Sequence, residues 1–386
     1  MRFNRWVAIF VLVIFSAAIL LSGCGQKQAA TTTGENVIKV GVIAPLSGDV
    51  KTFGESVKNG VDLAVSELKD GKLGNFKIEV IPGDDRNDPK EATNLATKLI
   101  TEDKVSAIIG AVTSKCSIPV SQLAQQYKVL MITPTSTAEK VTLDENGKRK
   151  DYVFRVCFID PFQGTVAAKF ALNDLQAKTA AVLYDQGNDY TVGLSEVFKK
   201  DFEAGGGKIV ASESYTNQDT DFSAILSKIA PKNPDVLYLP DYYQKVSLIA
   251  KQARDKGIKA VFLGGDGWDS PSIDQAAMNG GYFTNHYSVE DPRPQVQDWV
   301  KKYQAKYGKR PDSFATLGYE AAQVLFKAIE TTNSGDPTKL RDAIQNMTIE
   351  AVTAKISFDK NGNPVKPLAI IQYKDNKQVF VKKMTP

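Results

Sequence analysis

Residues 37–43, Val37-Ile38-Lys39-Val40-Gly41-Val42-Ile43, form a β-branched run too apolar at its end for a strand with one wet face. The periods on its carboxyl side decide the fold. Phe53, Val57, Val61, Ala64, Val65 and Leu68 fall on one face of a helix. Phe76 to Ile81 then reads as a strand, Ala92, Leu95, Ala96, Leu99 and Ile100 mark a second helix, and Val105 to Ile109 a third strand. The order β-α-β-α-β argues for a parallel sheet with helices on both faces and right-handed crossovers.

The pattern starts again in the middle of the chain. Strands are expected at Ala180 to Tyr184, Lys208 to Ala211, Asp235 to Leu239 and Ala260 to Leu263, with helices at Asp189 to Ala204, Phe222 to Ile229 and Lys245 to Asp255. Between the two α/β units, Tyr152 to Phe158 is an extended aromatic run that would end the first unit and feed a crossover. Helices from Val296 to Tyr307 and from Phe314 to Thr331 have apolar faces that need a sheet to cover, and Ile356 to Phe380 is again strand-like.

Working outward to the amino end, Arg2 and Arg5 flank the start of an apolar run from Trp6 through Leu21, which closes on Ser22-Gly23-Cys24. A basic start, an apolar core and small residues make a secretory signal. The run is short for a bilayer-spanning helix, which needs about 20 apolar residues, although an uncleaved anchor is the alternative. Leu-Ser-Gly-Cys resembles a lipobox, so cleavage is expected after residue 23 with a lipid on Cys24. Residues 24–36 lack apolar periodicity and read as a flexible tether.

The net charge is +4, and loss of residues 1–23 would remove only Arg2 and Arg5, leaving about +2. Basic and acidic residues are interspersed, so the basic stripe of a nucleic-acid binder is missing. With 42% apolar residues among 386, the chain can build a large core and should form about two domains. Cys116 and Cys157 remain in the body, either paired in an oxidising exterior or buried as thiols. His286 is the only histidine, so neither a zinc site nor a cofactor is expected. No Walker sequence and no Gly-x-Gly-x-x-Gly turn comes after the first strand. Gly205-Gly206-Gly207 reads as a helix stop, whereas Gly264-Gly265-Asp266-Gly267 sits at the carboxyl end of a strand, where open α/β sheets bind ligands.

Two more segments at strand ends carry more hydroxyls than packing requires: Gly110-Ala111-Val112-Thr113-Ser114-Lys115-Cys116-Ser117 and Thr133-Pro134-Thr135-Ser136-Thr137-Ala138. With these, and with Pro45-Leu46-Ser47-Gly48, Asp84-Asp85, Asp88-Pro89 and Asp189-Tyr190-Thr191-Val192-Gly193, the chain resembles the type I periplasmic solute-binding proteins of branched-chain amino-acid (Leu/Ile/Val-binding) ABC transporters. The resemblance runs from about Val37 to the end. It implies an α/β fold of two Rossmann-like lobes with parallel sheets, joined by three hinge crossings and closing on a ligand. Crossings near Ile159, Asn285 and Leu368 would put 37–159 and 286–368 in lobe 1, and 160–285 and 369–386 in lobe 2.

An α-amino acid is a zwitterion, so its receptor must replace the water of a carboxylate and an ammonium together. The resemblance implies that Ser114 and Thr137 hold the carboxylate, and that Asp266 and the Thr135 main-chain carbonyl accept the ammonium. It implies further that Phe53, Tyr190 and Tyr242 cage the ligand, with Tyr243 competing for the last role. Ser114 also reads as a helix N-cap, and Asp266 as a turn aspartate. Trp268 either lines the side-chain pocket or packs in the core. Lys115 and Asp241 depart from the family pattern. If they face the cleft they would admit a polar ligand, but the favoured expectation is that both are solvated.

The expected function is therefore a lipid-anchored extracytoplasmic receptor, monomeric, that captures an amino acid and delivers it to ABC permease subunits. The same fold could bind another small carboxylate, amide or aromatic acid. A sensor is the less favoured class, since no effector domain comes after Pro386. An enzyme is not expected, because no Gly-x-Ser-x-Gly elbow, metal cluster or acid/base pair is evident.

Overall fold

The computed structural model describes residues 36–385. The expected signal peptide, the lipid site at Cys24 and nearly all of the expected tether lie outside the described residues. Among the described residues no helix is long and apolar enough to cross a membrane.

The opening run forms β1 (Asn36–Ala44), which sits inside a six-stranded sheet because it is buried from residue 40 through residue 45. Its neighbours are β2 (Lys72–Leu73), β3 (Phe76–Asp84), β4 (Ala107–Ile109), β5 (Leu130–Thr133) and β6 (Val153–Arg155), in the order β2-β3-β1-β4-β5-β6. The pairs β1–β4, β4–β5 and β5–β6 are parallel, as the β-α-β repetition requires. The helices α1 (Lys51–Ser66), α2 (Pro89–Thr101) and α3 (Ser114–Tyr127) supply the crossovers. Only residues 153–155 of the aromatic run at 152–158 pair as a strand.

The second sheet has seven strands, in the order β15-β14-β11-β10-β9-β7-β8. It contains β7 (Thr179–Asp185), β8 (Lys208–Tyr215), β9 (Val236–Leu239), β10 (Val261–Gly264), β11 (Tyr282–Asn285), β14 (Leu368–Lys374) and β15 (Lys377–Met384). From β7 to β11 the pairs are parallel, while β14 and β15 form an antiparallel hairpin on the β11 edge. The strand-like tail expected to reach Phe380 pairs as the β14–β15 hairpin, whereas β11 goes beyond the sequence expectation. β11 is only four residues long and has no helical period on either side to set it off. Helices α4 (Asp160–Asn173), α5 (Asp189–Ala204), α6 (Ser223–Ile229) and α7 (Tyr243–Asp255) pack around this sheet. Asn188 caps α5 by accepting the Tyr190 N–H at 3.3 Å, and Gly205 stops it.

After β11 the chain returns to the first sheet as α8 (Pro294–Tyr307), α9 (Ser313–Thr332) and α10 (Pro337–Gln345), then makes a small ribbon of β12 (Thr348–Glu350) and β13 (Lys355–Ser357) before β14. The chain thus changes sheet three times, giving two Rossmann-like lobes. α9 lies directly on α1 through two glycines. A Cβ on Gly60 would stand 2.0 Å from the Ala315 carbonyl oxygen, and one on Gly318 2.4 Å from that of Val57, so no side chain fits between the backbones.

A buried ion pair fastens the third crossing. Lys366 Nζ lies 3.6 Å from Glu320 Oε2 with both side chains fully buried, and donates to Val156 O at 3.1 Å and to Thr353 Oγ1 at 2.6 Å. The Thr353 N–H donates to the other Glu320 oxygen at 2.6 Å. Cys116 and Cys157 are both free, buried thiols, each pushed up to about 12 by burial.

Candidate functional site

The hydroxyl segments project from carboxyl ends of first-lobe strands. Ser114 opens α3 rather than capping it, since Thr113 is the cap residue, and its hydroxyl accepts the Ala138 N–H at 3.2 Å. No side chain caps α3, and the Cys116 N–H bonds Thr113 O at 3.1 Å, so among the first-turn N–H groups those of Ser114 and Lys115 have no partner among the described residues, and an anion is favoured there. Thr135 uses its hydroxyl on Val112 O at 2.6 Å, which ties the two loops together. Thr137 is buried, and its hydroxyl has no hydrogen-bond partner.

Arg155 positions this loop. Its guanidinium is fully buried and donates to Ser136 O at 2.7 Å and Ala138 O at 2.8 Å, straddling Thr137. No carboxylate among the described residues forms an ion pair with it, and burial lowers its pKa from the ordinary value. The cation therefore stands behind the very loop whose free hydroxyl would face an anion.

Asp266 lies in a single 3-10 turn directly after β10. Three strands of the second sheet, β11, β14 and β15, come after β10 in the chain. The Asp266 N–H donates to Gln163 Oε1 at 2.8 Å, fixing the turn. Tyr190 donates its hydroxyl to Asp266 Oδ1 at 2.8 Å and accepts the Gly267 N–H at 3.1 Å. Gly265 permits this approach, since a Cβ there would lie 2.5 Å from the Tyr190 hydroxyl. His286 Nε2 stands 3.0 Å from Asp266 Oδ2, with the imidazole stacked on Phe158 at 3.8 Å. Burial holds the imidazole below its ordinary 6.5 against the pull of Asp266, so the ring is neutral and donates through Nε2.

Asp160, which no sequence pattern singled out, opens α4 where the chain first changes sheet. Both its oxygens are buried without a hydrogen-bond partner. Burial raises its pKa well above the usual carboxylate range; the nearby Thr137 hydroxyl favours the charged form without a formed hydrogen bond, and the Asp266 charge raises it further. Gln163 Nε2 and His286 Nδ1 are likewise buried and unpartnered. Thr137, Asp160, Gln163 and His286 thus bring orphaned polar atoms from both lobes around Asp266. Buried polar groups are normally satisfied, by protein or by water, so these atoms mark where water or a bound ligand would complete the hydrogen bonding.

The aromatic residues meet as a set. Phe53 stacks on Phe314 at 3.8 Å and presents its edge to Tyr242 at 5.6 Å and to Tyr243 at 5.1 Å. Tyr242 in turn stacks on Tyr190 at 5.2 Å. Tyr243 donates its hydroxyl across the lobes to Asp49 O at 3.0 Å. Trp268 does not line a pocket: it is fully buried, with its indole N–H on Leu239 O at 3.0 Å.

The favoured expectation for Lys115 and Asp241 is overturned. Asp241 is 2% exposed, accepting hydrogen bonds from the Tyr215 hydroxyl and the Tyr242 N–H. Lys115 is half-buried, and both residues line one cavity of about 280 Å³ between the lobes. Tyr215 sits at the far end of β8, a strand expected to stop at residue 211.

Arg155, Asp160, Gln163 and His286 are the residues that sequence reasoning missed. The signal for Asp160 was a carboxylate before Pro161, straight after an apolar aromatic run.

Two lobes built on mainly parallel sheets and joined by three crossings define a two-lobed binding-protein fold. The chain belongs to the periplasmic binding protein family, whose model matches residues 37–378, a family of extracytoplasmic solute-binding receptors of transporters rather than enzymes. It is 34% identical over 336 residues to the Leu/Ile/Val-binding protein BraC3 of Rhizobium johnstonii, covering 84% of this chain and 88% of that protein. The leucine binding protein LivK of Thermotoga maritima superposes with a TM-score of 0.86 at 36% identity, covering 90% of this chain and 99% of that one. An ABC-transporter solute binding protein of R. palustris, in complex with benzoate, gives 0.82 at 26% identity over 91% and 97% of the two chains.

Proposed function

We propose that this protein is a lipid-anchored receptor that captures an α-amino acid between lobe 1 (37–159 and 286–368) and lobe 2 (160–285 and 369–386), and passes it as a monomer to an ABC importer. The observation that carries this reading is the ring of buried, unpartnered polar atoms around Asp266. Ser114, the Thr137 hydroxyl and the first-turn N–H groups of α3 suit a carboxylate, with Arg155 behind them. Asp266, Asp160 and the Thr135 carbonyl suit an ammonium. Phe53, Tyr190 and Tyr242 close over the ligand. The names of the Rhizobium and Thermotoga relatives support an amino acid, while the benzoate complex supports a small carboxylate.

A thermal-shift screen of the purified protein decides between the two, since a ligand that binds only the native state raises the melting temperature. Amino acids are expected to raise it, and benzoates to leave it unchanged. A shift with benzoate and none with any amino acid would replace the amino-acid reading. For the anchor, Cys24→Ser should abolish lipid labelling in cells; normal labelling would refute it.

A further inference from the structure

The cavity of about 280 Å³ between the lobes has two chemically different walls. On the first-lobe side stand Asp49, Asn87 and Lys115; the Lys115 ammonium makes no hydrogen bond or ion pair with any described residue, while the charges of Asp85 and Asp88 act on it from its own lobe. On the second-lobe side, Asp185 and Asp241 are 5% and 2% exposed. Asp185 Oδ1 accepts the Gly187 N–H at 2.8 Å, and Asp241 is held by Tyr215 and Tyr242. Neither carboxylate has an ion-pair partner among the described residues. Lys245 also lines the cavity on this side and its charge acts on Asp241, but its ammonium donates to the Asn217 and Asp219 carbonyls at 2.7 Å each. A desolvated acidic wall therefore faces the Lys115 ammonium across the cavity.

Tyr242 lines this cavity and also stacks on Tyr190, whose hydroxyl holds Asp266. The cavity and the proposed amino-acid site thus share the Tyr242 ring, and a ligand side chain that extended past that ring would enter the cavity. An aliphatic side chain would desolvate both walls while satisfying neither. A carboxylate would bring a further anion to Asp185 and Asp241, and an ammonium would bring a second cation to Lys115. A carboxamide or ureido group matches both walls at once, its N–H groups donating to the acidic side and its carbonyl accepting from Lys115.

We propose, building on the receptor reading above, that the preferred ligand is an amino acid whose side chain ends in a carboxamide or ureido group, seated between Lys115 and the Asp185/Asp241 wall. Calorimetry on the purified protein with leucine, glutamine, citrulline, glutamate and lysine tests this. Glutamine or citrulline is expected to bind about tenfold tighter than leucine, and tighter than either charged amino acid, one charge-assisted hydrogen bond being worth roughly that factor. In Lys115→Met the ratio of glutamine to leucine affinity should fall by most of that tenfold, and in Lys115→Glu lysine should overtake glutamine. Circular dichroism confirms that each variant is folded. Leucine binding tighter than both glutamine and citrulline overturns this inference and leaves the receptor reading standing. Binding by none of the five overturns both. An unchanged ratio in Lys115→Met removes Lys115 from the selection and overturns the two-wall argument.

Discussion

His286 Nε2 lies 3.0 Å from Asp266 Oδ2, in a place where the imidazole has Phe158 against its face and no partner for Nδ1. The residue at the second lobe crossing thus touches the residue expected to meet the ammonium. One neutral histidine orients one carboxylate, and Tyr190 orients the other oxygen.

This contact sets a pH dependence. Burial depresses the folded-state pKa of His286 below 6.5, so its neutral form is favoured in the native state. Its contribution to stability is present above about pH 6.5 and is lost as pH falls through that value toward the depressed one. The parent should therefore lose more melting temperature between pH 7.5 and 5 than His286→Gln, which keeps a donor for Asp266 but does not titrate. Equal losses in the two proteins would show that His286 does not govern acid stability.

Removing one end of the proposed ligand clamp should be costly in proportion to the charge left unpaired. Asp266→Ala is expected to weaken amino-acid binding by roughly 2–5 kcal/mol, and Ser114→Ala by about 1–3 kcal/mol, because helix N–H groups remain for the carboxylate. Calorimetry with the best ligand reads both. Full affinity in Asp266→Ala alongside a loss in Ser114→Ala would mean the ligand presents no ammonium there.

Much of the fold and part of the site were legible along the chain, for reasons that can be named. The start and stop of α5 come from the Asn188 cap and the Gly205 stop, both local signals. Asp266 stands out because glycines around a strand end advertise close approach, and Gly265 does give way to the Tyr190 hydroxyl. Asp160 and His286 do not stand out, since their significance lies in burial imposed by crossings between segments far apart in sequence. Asp241 looks solvated in the sequence because its cover, Tyr215, belongs to a strand whose far half is only partly buried and carries no alternating pattern.

The Glu320–Lys366 pair is expected to be a stability element and not a binding one. Both side chains are fully buried, so Glu320→Ala would leave an ammonium in the interior with only Val156 O and Thr353 Oγ1 for partners. Breaking one side of such a pair costs about 3–5 kcal/mol. Urea unfolding should show this loss, while ligand affinity in the folded fraction should be retained. A loss under about 1 kcal/mol would mean that water reaches Lys366.

Asp241 should work in the opposite direction to His286. Its carboxyl is pushed up to about 6 from 3.8, chiefly by burial, against the lowering effect of Tyr215 and Tyr242 and with Asp185 adding to the rise. The native state therefore keeps a proton that the unfolded chain gives up. The stability this confers is complete below about pH 4 and is lost as pH rises through 6, amounting to up to about 3 kcal/mol at neutral pH. Asp241→Asn removes the titration while keeping a polar partner for Tyr215, so the variant should gain on the parent as pH climbs from 4 to 7. Chemical denaturation at a series of pH values measures the difference between the two proteins, which also separates Asp241 from the other carboxyls. If the two stability curves run parallel from pH 4 to 7, Asp241 is ionised throughout and water has access to the acidic wall beside Tyr242.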